Sequence, residues 1–79
     1  MITIWDENVE LKIDDRFQVI RSAREAVAFL MKSWPDTKSA SYATARKACL
    51  DAAKGIVPGA QARAAFEAAA KEAGILRQR

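Results

Sequence analysis

The chain contains no histidine and only one cysteine, Cys49. A lone thiol cannot close an intramolecular disulfide, and a zinc site built from histidine and cysteine has too few ligands. Without an imidazole, the usual Cys–His nucleophile pair is also excluded. No apolar run approaches the ~20 residues needed to span a bilayer. The first residues, Met1-Ile2-Thr3-Ile4-Trp5-Asp6-Glu7, lack the basic start of a secretory signal and soon reach acid. A single free thiol suits a reducing compartment. The expectation is a cytoplasmic protein with no membrane association, metal or cofactor.

A length of 79 residues leaves room for one domain, 1–79. A core of that size contributes only about 3–5 kcal/mol of net stability, and neither disulfide nor metal is at hand to add to it. Close helix packing or self-association must make up the difference, so a homodimer is the default expectation. The net charge of +3 is unevenly spread. Residues 1–33 hold five basic and six acidic groups, whereas residues 34–79 hold eight and four. That asymmetry permits an anionic partner without requiring one.

The N-terminal third reads as a β-hairpin. Trp5, Val9, Leu11 and Ile13 share one parity, and Glu10 and Lys12 take the other. Arg16-Phe17-Gln18-Val19 alternates again. A two-residue Asp14-Asp15 turn would set Lys12 opposite Phe17 and split the apolar residues between faces. A three-residue loop, Asp14 to Arg16, pairs Ile13 with Phe17 and Leu11 with Val19, and pattern alone favours it.

Three helices follow. Ser22 and Glu25 form a capping box. Ala23, Ala26, Val27, Leu30 and Trp34 make one apolar stripe, widened by Phe29 and Met31. Pro35 ends this first helix near Ser33. Ser39 or Ser41 caps the second helix. Its buried side is marked by Tyr42, Ala45, Cys49, Ala52, Ala53 and Ile56, with Gly55 at its end and Ile56 folding back towards Leu50. Pro58 opens the third helix, whose buried residues are Ala62, Ala65, Phe66, Ala69 and Ala73. Glu67 and Lys71 pair on its outer side, and Gly74 closes it. Ile75-Leu76 is short enough to be either a tail or a third strand. The fold class is α+β, in the order ββααα, with that short C-terminal strand left open. Alanine stripes on the second and third helices predict a close-packed pair.

Few residues are suited to chemistry. Cys49 reads as a small buried residue, because nothing nearby would activate it. The adjacent acids Asp6-Glu7 and Asp14-Asp15 fall where turns or strand ends are expected. Arg46, Lys47 and Lys54 give the second helix a basic edge, and Arg77 and Arg79 add charge at the tail. Asp51 interrupts that edge, and no aromatic is interleaved for stacking on bases. Arg63 sits beside the Phe66 stripe, placed either to bridge to Asp51 and helix-end carbonyls or, with Arg46, to hold an anion. Trp34 completes the core stripe. Trp5, ahead of the patterned strand, and Phe29 are the candidates for an exposed protein contact.

The ordered set of features resembles a known family. It comprises an early Trp5, then Val19-Ile20-Arg21-Ser22 leading into Glu25-Ala26, Trp34-Pro35, and Tyr42-x-x-Ala45-x-x-x-Cys49 before Gly55. Ala62-Arg63-x-Ala65-Phe66-x-x-Ala69 and Ala73-Gly74-Ile75 complete it. Together these are similar to a family of short bacterial proteins, best known from rhizobia, catalogued as domain of unknown function number 982. The resemblance runs from about Trp5 to Ile75, with Pro58-Gly59 departing from a polar helix start. It implies a cytoplasmic bacterial protein and carries over no activity, cofactor or catalytic residue. The residues favour a non-catalytic, self-associating protein-interaction module that uses its sheet edge or alanine-lined helices. The alternative is a weak nucleic-acid-binding accessory using Arg46, Lys47 and Lys54, and the third reading is a small-ligand binder or enzyme.

Overall fold

The computed structural model describes residues 4–13, 15–34 and 37–77, except the side chains of Ile4, Asp6 and Glu7. Expectations resting on those three side chains, or on Ile2, Asp14, Pro35, Asp36, Gln78 and Arg79, lie outside the described residues. Two strands, β1 (Ile4–Ile13) and β2 (Arg16–Ser22), precede three helices, α1 (Ala23–Lys32), α2 (Ala40–Ala53) and α3 (Gly59–Ala73). This is the expected ββααα order.

The hairpin register differs from the expected one. Ile13 pairs with Arg16, Lys12 with Phe17, Leu11 with Gln18, Glu10 with Val19 and Val9 with Ile20. The connection is therefore two residues long, and Asp15 takes the left-handed conformation at φ 66°, which aspartate tolerates better than most residues. The three-residue loop assumed that Phe17 and Val19 share the core face with Ile13 and Leu11. In the fold, Ile20 and Ser22 alone anchor the inner face of β2 to the core. Phe17, 60% exposed, instead lies on the outer face under two cations. Arg77 is 4.8 Å and Lys12 5.9 Å from its ring centroid, contacts that favour an aromatic at a solvated position. Further along, the register shifts between Ile4, which pairs with Ser22, and Val9, so β1 is irregular between these two residues.

Helix α1 begins where Ser22 Oγ accepts from the Glu25 N–H at 3.3 Å. The Glu25 carboxylate returns the bond to the N–H of Arg21, also at 3.3 Å, one residue before the cap. Ala23, Ala26, Leu30 and Trp34 are buried as the stripe requires. Met31, expected to widen it, is 61% exposed and points away. Ser39 caps α2 by accepting from the Tyr42 N–H at 3.1 Å, while Ser41 donates to Glu72 on α3.

Gly55 (φ 80°) and Gly74 (φ 76°) end α2 and α3 in the left-handed conformation. At each, the two N–H groups beyond the helix reach back to its last turn. Gly55 and Ile56 donate to Ala52 and Asp51, and Gly74 and Ile75 to Lys71 and Ala70, the Schellman arrangement. The following side chains differ in fate. Ile75 is buried, whereas Ile56 is 66% exposed and does not fold back on Leu50 as expected. Pro58 stands at the α3 N-cap with no side-chain bond to it, in line with the departure at Pro58-Gly59.

From Gly74 the chain runs along β1. Lys12 N–H donates to the Ile75 carbonyl at 2.7 Å and Arg77 N–H to the Glu10 carbonyl at 3.0 Å. Leu76 thereby forms a single antiparallel bridge with Leu11. The tail is thus a one-residue bridge covering the outer edge of β1. Helices α1 and α3 cover the inner face of the sheet, and α2 packs on both of them. The core is an aromatic chain: Phe66 lies 5.8 Å from Trp5 and 5.6 Å from Trp34 between ring centroids. Trp34 also meets Phe29 edge-on at 5.9 Å. Tyr42 joins at 6.3 Å and donates from its hydroxyl to the Leu30 carbonyl.

Candidate functional site: the open edge of the hairpin

Several expected contact residues are occupied within the fold. Trp5, a candidate for an exposed contact, is only 5% exposed and packs on Phe66. Phe29 stays half-buried. The alanine faces of α2 and α3 are also spent on each other: Ala45, Cys49, Ala52, Ala62 and Ala69 are all buried. Cys49 lies with Sγ 3.9 Å from the Ala62 carbonyl. Burial pushes its thiol up to about 12, so the thiolate needed for nucleophilic work is disfavoured at neutral pH.

The basic candidates separate into two places. Arg46, Lys47 and Lys54 line one shallow groove of about 390 Å³ together with Thr37, Tyr42, Leu50 and Asp51. Asp51 accepts a bond from Lys47 Nζ at 3.2 Å, so part of the groove's charge is balanced within it. Arg63 is not among its lining residues. Its guanidinium pairs along α3 with Glu67, the partner that sequence spacing had assigned to Lys71. Arg77 bonds Glu10 Oε1 at 3.2 Å and covers Phe17, tying it to the sheet. Among the described residues, no group of three or more His, Cys, Asp or Glu side chains is placed to hold a metal ion.

Among the described residues, nothing pairs with the other edge of the sheet. The sheet has two strands, and the C-terminal segment occupies the far side of β1, bonding Glu10 and Lys12. In an antiparallel ladder, successive residues direct their backbone groups to opposite sides. Val9, Leu11 and Ile13 therefore face β2, and so do their partners Ile20, Gln18 and Arg16. Phe17, Val19 and Arg21 direct their N–H and C=O groups to the unpaired edge. The Arg21 N–H confirms this direction, since it leaves the ladder to meet Glu25. The open segment is consequently short, centred on Phe17 and Val19, with Asp15 and Arg21 at its ends. Beneath it, Arg16 and Gln18 of β2 join Ile13, Phe29 and Ser33 around a groove of about 460 Å³.

A three-residue loop turns the backbone groups of Phe17 and Val19 towards β1, so the sequence pattern alone does not mark them as edge residues. The available signal was the tolerance of aspartate for the left-handed conformation, which Asp15 adopts.

A two-stranded antiparallel hairpin backed by three helices, with one strand edge unpaired, defines the class: a small α+β domain. The chain belongs to the DUF982 family, described as "Protein of unknown function (DUF982)", whose model matches residues 7–77. Comparison with curated proteins and with solved structures gives no match. No helix among the described residues is long and apolar enough to cross a membrane.

Proposed function

We propose that this chain is a non-catalytic protein-interaction module that binds through the edge of β2 and associates with itself. The observation that carries this reading is the unpaired edge at Phe17 and Val19. A sheet edge is a template for another extended chain unless it is bent, charged or covered, and adding a strand is a recurrent way of recognising peptides. The alanine faces that α2 and α3 turn to each other, the other surface expected to bind protein, are buried in the core and leave the edge as the better-supported surface. A bacterial, rhizobial-type origin and a cytoplasmic setting belong to the same proposal. They are supported by the motif order described above and by the single unpaired thiol.

Val19→Pro tests this reading. The Val19 N–H points away from β1, so proline removes a docking donor without breaking the hairpin ladder, the position where strands tolerate it. Affinity capture from the host is expected to recover a partner on the wild-type chain and to lose it at least about tenfold on Val19→Pro, with circular dichroism unchanged. Undiminished capture by Val19→Pro would overturn the reading. So would capture of nucleic acid that weakens steeply with salt and is lost on Lys47→Glu/Lys54→Glu.

A further inference from the structure

We infer that the occupant of the β2 edge is the β2 edge of a second copy, antiparallel and in one register, with Gln18 opposite Gln18 across a two-fold axis. The inference rests on the interaction reading above and adds the partner and the alignment.

The register follows from which backbone groups remain to be paired. Phe17 and Val19 each turn an N–H and a C=O to the edge, while the Arg21 N–H is already held by Glu25. Opposing Val19 to Val19 would set Phe17 against Arg21 and require its N–H, in competition with the capping bond that starts α1. Opposing Phe17 to Val19 uses both groups of both residues on both copies, and the residue it sets against Arg21 is Asp15, whose left-handed backbone lies outside the ladder, so that bond stays intact. It is therefore the alignment that pairs the open edge at no cost to the helix cap.

Side chains agree with this alignment. Residues directly opposite in an antiparallel pair lie on the same face, so Phe17 of each copy meets Val19 of the other on the outer face. An aromatic against a β-branched residue is a favourable cross-strand pair. Two positions further out, Arg21 of one copy faces Asp15 of the other, at both ends of the seam. Both residues are exposed, and the charges are opposite. In the Val19–Val19 alignment, Arg16 would face Ser22 and Asp15 would have no basic residue opposite it. On the inner face the two Gln18 side chains meet beside the groove lined by Phe29 and Ser33. The partner strand thus closes a four-stranded sheet whose seam runs over the half-buried Phe29.

Because the two Gln18 residues form a non-hydrogen-bonded pair, their Cα atoms lie about 4.5 Å apart, within reach of a disulfide. Val19 residues are offset by two positions and are out of reach. The experiment is oxidative cross-linking of Gln18→Cys and Val19→Cys, with the wild type, whose Cys49 is buried, as control. Sedimentation equilibrium and amide exchange are measured on the wild-type chain in parallel. Expected are a cross-linked dimer for Gln18→Cys at least about tenfold faster than for Val19→Cys, a mass rising to two chains with concentration, and Phe17 and Val19 amide exchange slowing over the same range. Faster cross-linking through Val19→Cys overturns the register. A one-chain mass at every concentration, with no slowing of the two amides, overturns self-pairing. Capture of another protein that Val19→Pro abolishes then leaves the interaction reading standing, whereas loss of that capture as well removes both. If Gln18→Cys fails to fold, the wild-type mass and amide exchange still decide whether the edges pair.

Discussion

Cys49 illustrates how a single side chain's environment decides its chemistry. It is fully buried against α3, and desolvation alone holds its thiol up at about 12 against an ordinary 9.0. The folded state binds this proton more tightly than the unfolded state does. Its contribution to stability is therefore complete below about pH 9 and is lost as the pH rises from there towards 12. Urea unfolding at pH 8 and pH 10.5 is expected to show a larger loss of stability for the wild type than for Cys49→Ala, in which this group is absent (both pH values chosen to straddle the ordinary range of the thiol). Equal losses would show that the thiol is not the titrating group. Asp15 shows the complementary case, in which a backbone demand is met by an imperfect residue. It accepts φ 66° where glycine is absent, and that acceptance makes the two-residue turn available.

At the scale of elements, the helices were the most legible part of the chain. Capping residues and apolar spacing act within a few positions, so Ser22, Ser39, Gly55 and Gly74 mark their ends without reference to the rest of the fold. The hairpin was less legible because register depends on what lies on either face. Phe17 takes the solvated face through its pairing with Lys12, and Arg77 from the far end of the chain comes back to cover its ring. Arg63 and Glu67 pair within α3 for a similar reason: several partners share the right spacing, and packing selects among them. Alanine on the facing sides of α2 and α3 sets a further test. Ala62 is fully buried beside Cys49, so Ala62→Leu must push the helices apart and is expected to cost about 1–3 kcal/mol or more in urea unfolding. An unchanged midpoint would mean that α2 and α3 are not closely packed at this point.

For the whole molecule, the decisive contacts join the ends of the chain to its middle. Trp5 from β1 and Trp34 after α1 meet on Phe66 of α3, so one aromatic cluster links the sheet to the helices. Trp5→Ala is expected to destabilise the chain by about 3–5 kcal/mol, comparable to the whole net stability of a domain this small, and to leave it largely unfolded by circular dichroism. Trp5→Phe is expected to cost much less, because it also deletes the Trp5 Nε1–H, which is buried without a hydrogen-bond partner among the described residues, an arrangement that costs about 1–3 kcal/mol. A folded Trp5→Ala with native stability would return Trp5 to the surface role its position suggested. The candidate site follows the same division. Arg46, Lys47 and Lys54 were legible as one basic edge, since a single helix carries them. The β2 edge was not, because an edge exists only once the neighbours of a strand are known. Local spacing by itself determines that this chain makes a hairpin and three alanine-rich helices, since propensity, capping and periodicity operate over a few residues. Only the tertiary structure decides the hairpin's register, the burial of Trp5 and the open side of β2, because each depends on which distant segment occupies the adjoining face.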